Sequence, residues 1–475
     1  MNRLRGYASN AYAASFAEVD IASLVVFRIG LGLCLFALMT VLYDEQYVAR
    51  LGSPGLHFTF PGFDWVRPLP NDGTFYEVYA LRVLALGIAL GFMYRICAAL
   101  FFLFHTHLLL IDSLFYQNHL YLVCLICFLM IFVPAHKVFS LDVLLRPALY
   151  SPTVPAWSVW ALRLQIALVF IFGGLAKLSY DWLHGEPMRA LLEGTSVRVY
   201  DYREVAVYGL VYIGIVFDLF IPFLLFAKRT RLLAYDVSLV FNILNAQIWN
   251  IDVFPYFLMV SMLIFFAPDW PRTLVSRLSK HGARAPSTSL TQARAPNARR
   301  ARVAGLLTIY FIAQLYLPLR HYIIPGNVLW TDEGRHFAWR MLMVRKRALA
   351  TFHAYDPRSG ERWLVSPTEL GLPIYGASNP WTRPHNALLF ARYVSDKYAA
   401  SGRPDVEVRA EIYCSLHRRR PQLLIDPEVN LAAQRDRIWQ APWIVPLREP
   451  LPLTASERAN AREAWTEIGG DLRDW

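Results

Sequence analysis

Apolar residues run in long unbroken stretches through the first two-thirds of this chain and in short alternating stretches through the last third. The long runs lie at 21–43, 76–94, 96–113, 119–135, 157–179, 205–227, 231–250, 252–268 and 303–320. A helical crossing of a bilayer takes about 20 apolar residues. The pattern therefore predicts a polytopic α-helical membrane bundle of about nine transmembrane helices over residues 1–320. Several runs are short, which implies tilted or shielded helices. A mostly-β domain is expected over 321–475. There, 348–355 alternates, D-P-R-S-G-E supplies turn residues, and R-W-L-V follows, the signature of a hairpin. Along 405–416, Val406, Val408, Ala410, Ile412, Cys414 and Leu416 alternate with Glu407, Arg409, Glu411, Tyr413 and Ser415, as in a half-buried antiparallel strand. Between them, Leu388, Leu389, Ala391, Tyr393, Val394 and Tyr398 recur at helical spacing and predict an amphipathic helix over 385–399.

Composition agrees with a membrane protein. Hydrophobic residues are 56% of the chain, charged residues 17%, and mean hydropathy is +0.32, whereas a soluble chain carries about 25% charged residues. The net charge of +11 does not point to nucleic acid, because the excess sits in connections between apolar runs. The connection 269–302 holds Arg272, Arg277, Lys280, Arg284, Arg294, Arg299, Arg300 and Arg302 against Asp269 alone. By the positive-inside rule this connection is cytoplasmic, with a linker at about 272–302, its stretch 281–300 reading as disordered. Nine crossings then put the last third on the extracytoplasmic face, periplasmic in a bacterial inner membrane. No short apolar core with a small-residue cleavage site precedes the first run. The five cysteines have no disulfide-scaffold spacing, and Cys124 and Cys127 (C-L-I-C) read as packing within an apolar run.

Ionisable groups inside membrane spans are expensive and read first as functional. Several occur here, among them Arg28, His105, His107, Asp112, His119, Arg163, Lys177, Asp218 and Asp236. Arg28 and Arg163 are expected to pair with Asp218 and its neighbours and fix helix packing. His105 and His107 are two apart, hence about 200° apart on a helix, and cannot easily share a metal. Lys177 ends the run A-L-V-F-I-F-G-G-L-A-K-L. A lysine that burial brings toward neutrality can act as a general base; snorkelling to the interface is the competing reading. Gly173 and Gly174 allow a helix or a flat ligand to approach closely. His119 opens the fourth run and Asp112 ends the third, so Lys177, His119 and Asp112 are expected to converge at one membrane face.

The chain resembles the vitamin K-dependent γ-carboxylases and their bacterial relatives with a horizontally transferred transmembrane domain. The resemblance rests on A-S-L-V-V-F-R-I-G-L-G (22–32), H-F-T-F-P-G-F-D-W-V (57–66), I-D-S-L-F-Y-Q-N-H-L-Y-L (111–122) and F-G-G-L-A-K-L-S-Y-D-W-L-H-G-E-P (172–187). F-D-L (217–219), T-R (230–231), F-F-A-P-D-W-P-R (265–272), W-T-D-E-G-R-H-F-A-W-R-M (330–341) and L-L-I-D-P-E-V (423–429) follow in order. What it implies is a chemistry the residues alone do not name. The motif lysine deprotonates vitamin K hydroquinone, a menaquinol-type naphthoquinol here, which reacts with O2. The resulting alkoxide removes a glutamate γ-proton, the carbanion takes up CO2, and the epoxide is released. By motif match Lys177 is the base. His119 and Asn118 hold or polarise the quinol, and Asp112, Gly173, Gly174 and Asn245 complete its site. Trp330 and Trp339 contact the glutamate of a protein or peptide substrate. No metal is implied.

The departures bear on the second half of that chemistry. F-N-I-L-N (241–245) has Asn242 where the family usually has His, and Arg335 and Ala338 stand where the animal enzyme has Tyr and Ser. The residues thus favour quinol epoxidation over carboxylation. An epoxidase-only enzyme and a non-catalytic membrane scaffold with a partner-binding periplasmic domain are the alternatives. A haem or quinone electron carrier using His105, His107 and His119 is a third, disfavoured by the helix faces.

Overall fold

The computed structural model describes residues 10–193, 203–249, 252–278, 297–372, 379–435 and 441–471. Each of the nine apolar runs contains a helix: α1 (Ala22–Val41), α2 (Gly73–Leu90), α3 (Tyr94–Ile111), α4 (Asn118–Phe132), α5 (Trp157–Ala176), α6 (Arg203–Phe226), α7 (Arg231–Trp249), α8 (Phe254–Met262) and, after α9 (Trp270–Leu278), α10 (Asn297–Leu319). In hydrocarbon the backbone must satisfy its own hydrogen bonds, which is why these runs are helical. Among the described residues, six helices are long and apolar enough to cross a bilayer: α1, α2, α3, α5, α6 and α10 with its extension to Tyr322. The α8–α9 pair, bent by 91°, would make a seventh. The 15 residues of α4 span only about 22 Å at 1.5 Å per residue. From His119 to Cys127 every α4 side chain is buried, so this short helix runs through the middle of the bundle. The linker expected at 281–300 lies outside the described residues up to 296; 297–300 are helical, the first turn of α10.

The arginines of the bundle do not pair with Asp218, as the sequence suggested. Arg28, fully buried, donates to the Ala135 and Phe139 carbonyls at 3.2 and 2.6 Å. Arg163 donates to those of Ile264 and Phe266 at 2.8 and 2.7 Å. Both capture carbonyls freed where a helix ends or breaks, groups that need a donor away from water. His105 Nδ1 lies 3.2 Å from Cys124 Sγ, and His107 Nδ1 lies 2.9 Å from a Glu77 oxygen. Those two histidines are therefore separate packing residues.

Beyond α10 the chain forms a four-stranded antiparallel sheet: β1 (Lys346–Tyr355), β2 (Arg362–Val365), β3 (Glu407–Leu416) and β4 (Gln422–Leu423), in the order β2-β1-β3-β4. The hairpin pairs Phe352 with Val365, and the long β1–β3 ladder pairs Ala350 with Ile412. Val408, Ala410, Ile412, Cys414 and Leu416 are all buried beneath α11 (Pro384–Ala400), which packs on β3. A buried ionic clamp joins sheet to bundle. Asp181, just past the end of α5, meets His417 Nδ1 at 2.6 Å and two Arg419 nitrogens at 2.8 Å each. Arg383 and His385 also reach back to the carbonyls of Ser113 and Thr59.

Candidate active site

The sequence motif around Lys177 ends α5 with two glycines because α6 lies against it. A Cβ on Gly174 would fall 3.0 Å from the Leu219 backbone nitrogen. A Cβ on Gly173 would meet the Asp218 carboxylate at 3.3 Å and the tip of Met341 at 3.0 Å. The close approach sets the geometry that matters: Lys177 Nζ donates to Asp218 Oδ2 at 2.6 Å. Both side chains are largely withdrawn from water, at 12% and 6% exposure. The ammonium also lies 5.4 Å from the centre of the Trp182 ring, and Gly214 leaves room beside it. Lys177 is thus neither snorkelling nor alone in an apolar site; it is held in a buried ion pair.

The pair opens onto a cavity of ≈ 470 Å³, within the few hundred Å³ typical of small-molecule sites. Asn118 and His119 enter it from the start of α4, Asn242 and Asn245 from α7, and Asp252 and Phe254 from the turn into α8. The His119 ring stacks on Phe254 at 5.1 Å between centroids, and its Nε2 is buried without a partner among the described residues. A buried polar atom left unpaired is costly, so His119 is a ready hydrogen-bonding group for a ligand. Asn118 Oδ1 accepts from the Tyr116 hydroxyl, and Asn242 donates to the Ser238 carbonyl. Aromatic walls with a few convergent polar groups suit a flat bicyclic quinol. Lys177 or His119 would meet its oxygens, and Phe170, Phe241 or Phe254 its rings.

Lys177, His119, Asn118 and Asn245 are therefore brought together, and the other expected residues are not. Asp112 does not line the cavity. It caps the turn after α3, accepting from the Leu114 N–H at 2.8 Å, and faces His57 at 3.6 Å. Gly173 and Gly174 shape the wall rather than contact the space. Trp330 is fully buried in the soluble domain, and its indole donates to the Val445 carbonyl at 2.7 Å; its donor is used and its faces are packed. Trp339, 1% exposed, packs on Tyr121 at 5.0 Å, one layer behind the cavity. It belongs to a segment in which Asp332, Phe337, Trp339 and Leu342 all have positive φ, a strained backbone that persists only where the surroundings impose it. That segment delivers Met341 and Leu342 to the cavity wall. Sequence reasoning missed Asp218 as the lysine's partner and Asp252 as a lining carboxylate. The cost of an acid in a membrane run was the available signal for Asp218, and it applied more weakly to Asp252 at the very start of the 252–268 run. Among the described residues no three His, Cys, Asp or Glu side chains are grouped to hold a metal ion.

Comparison with known proteins agrees with this layout. Residues 16–270 match the HTTM domain and residues 299–450 match the lumenal domain of vitamin K-dependent gamma-carboxylase. No solved structure matches the chain. The first match alone covers more than half of the chain, and the second accounts for most of the remainder. A membrane protein with both domains in this order, the chain belongs to the vitamin K-dependent γ-carboxylase family.

Proposed function

We propose that this protein is a membrane γ-glutamyl carboxylase and epoxidase that uses a naphthoquinol of the vitamin K type. The observation that carries the reading is the buried Lys177–Asp218 pair on a cavity lined by His119, Asn118 and Asn245. When bound, the hydroquinone reacts with O2 to give its epoxide and water, and so supplies the base strong enough to replace a glutamate γ-proton by CO2. Lys177 takes the proton of the quinol hydroxyl. Asp218 positions Nζ, and at 2.6 Å it can accept the lysine's own proton and leave a neutral amine. His119, with no partner at Nε2 among the described residues, binds and polarises a quinol oxygen. The apolar walls exclude water, which would otherwise quench a strong base.

In this reading the soluble domain is extracytoplasmic, periplasmic in a bacterial inner membrane. The quinol enters from the lipid, and the glutamate of a protein or peptide reaches the cavity past Met341 and Leu342. The test supplies reduced naphthoquinone, O2, isotope-labelled CO2 and a glutamate-containing peptide to the purified protein. Label enters the peptide only when the quinol is reduced. Epoxide formed without any label in a range of glutamate peptides would leave an epoxidase and refute the carboxylase half.

A further inference from the structure

A second cavity of ≈ 340 Å³ lies at the same seam, away from the Lys177 site. The two are separated by a wall of rings in which Tyr121 touches Phe337 at 4.9 Å and Trp339 at 5.0 Å. Phe337 faces the second cavity while Met341 and Leu342, farther along the same segment, face the first. The second cavity has an apolar side formed by Phe60, Phe63 and Leu317 and a charged side that includes Arg320 and Arg383.

The charged groups there are unequally paired. Asp332 also lines the cavity, but Arg335 at 2.6 Å, Arg383 at 3.6 Å and Lys346 at 3.9 Å surround it. Burial alone would raise the Asp332 carboxyl, and these cations more than offset that and hold it well below the usual carboxylate range. Glu333, the other acid on the cavity, accepts the Ala441 N–H at 2.7 Å, and burial pushes its carboxyl up. Arg320 and Arg383 line the cavity together with Asp332 and Glu333, and Arg335 and Lys346 back Asp332 from outside the lining. Arg320 has no carboxylate partner among the described residues; its guanidinium is held by the carbonyls of Leu317 and His336 at 2.9 and 2.6 Å. His336 lines the same space with its Nε2 buried and without a partner among the described residues. A largely buried arginine held only by carbonyls can take an anion as its charge partner.

Position decides which anion. Leu317 and Tyr316 come from α10, a helix with only 11% of its apolar stretch covered by the rest of the protein, so one wall of the cavity faces lipid. Tyr316 on its lining is 53% exposed, and Trp65 and Tyr322, two residues along the chain from the lining residues Phe63 and Arg320, are exposed at 76% and 71%. Exposed Trp and Tyr at the end of a membrane helix mark the headgroup level of a bilayer. The cavity thus combines a cationic end, an apolar floor and an entrance at the depth of lipid phosphates.

We propose that this second cavity binds the phosphate head of an anionic membrane phospholipid, with Arg320 and Arg383 on the phosphate and the aromatic floor under the start of the acyl chains. The proposal does not depend on the chemistry at Lys177. It is tested on the full chain in detergent, equilibrated with equimolar phosphatidylglycerol and phosphatidylcholine and analysed by native mass spectrometry. Wild type retains phosphatidylglycerol over phosphatidylcholine by about tenfold, the scale of one charge-assisted contact. R320Q brings the two to near parity, and R320K, which keeps the charge, restores most of the preference. Neither inorganic phosphate nor a soluble acidic peptide at millimolar concentration displaces the lipid. Equal retention of the two lipids by wild type, or an unchanged preference in R320Q, overturns the proposal. Displacement by free phosphate reassigns the cavity to a soluble anion, and displacement by the peptide reassigns it to a polypeptide; either result also overturns it.

Discussion

Replacing Asp181 with asparagine is expected to loosen the soluble domain from the membrane bundle while leaving the shape of the side chain nearly unchanged. The Asp181, His417 and Arg419 side chains are 7%, 0% and 6% exposed, so solvent does little to screen them. Their three contacts, at 2.6, 2.8 and 2.8 Å, form a fully engaged buried cluster. Removing one member of a buried pair strands the other charge, at a cost of about 3–5 kcal/mol. Asparagine still accepts one of these bonds, which places D181N near the lower end, about 3 kcal/mol. Pulse proteolysis in urea at neutral pH reads this as a midpoint lowered by roughly 1–2 M.

The pH dependence has a definite sign. Burial tends to raise the Asp181 carboxyl, but His417 and Arg419 outweigh it and hold the group well below the usual carboxylate range. Its contribution is therefore complete above the unfolded value of about 4 and is lost as pH falls through the lower folded value. The gap between wild type and D181N should stay constant from neutral pH to about 5 and narrow below 4. An unchanged midpoint at neutral pH, or a gap that widens on acidification, would refute the reasoning.

Three further outcomes follow from the same geometry. D218N removes the ionic partner of Lys177 and should lower epoxide formation by at least about tenfold with unaltered quinol binding, measured by steady-state rates against a quinol titration. H119F keeps the ring stacked on Phe254 but deletes the free Nε2; quinol affinity should weaken by about tenfold, the value of one buried hydrogen bond, and binding titrations check it. G174A drives a methyl into the Leu219 backbone and should destabilise the bundle by about 1–3 kcal/mol. G173A, which meets the movable end of Met341, should cost less; thermal unfolding in detergent compares the two.

The elements of this protein were legible because each follows a local rule. Apolar runs became helices, and the alternation from Val406 to Leu416 became the central strand with the anticipated side inward. The hairpin of Phe352 and Val365 was announced by its turn residues. The convergence of Lys177 with His119 was legible from the placement of both at span ends. What the sequence did not show is pairing across helices. Arg28 and Arg163 answer to carbonyls exposed where helices stop, and no sequence pattern marks which carbonyls those will be. Asp112 ends its helix as expected but is spent on capping a turn. Trp330 lies in a matching motif, yet the fold of the soluble domain wraps it in core. Proximity in a motif does not determine which way a side chain is turned.

The central claim is that Lys177 is the base that starts the reaction. Wild-type protein and K177A, matched for folding by thermal unfolding in the same detergent, are given reduced naphthoquinone and O2, and the epoxide is quantified by mass spectrometry. Wild type should form epoxide, and K177A should form it at least about 100-fold more slowly, the scale of a lost general base. Equal epoxide from the two proteins would contradict the account.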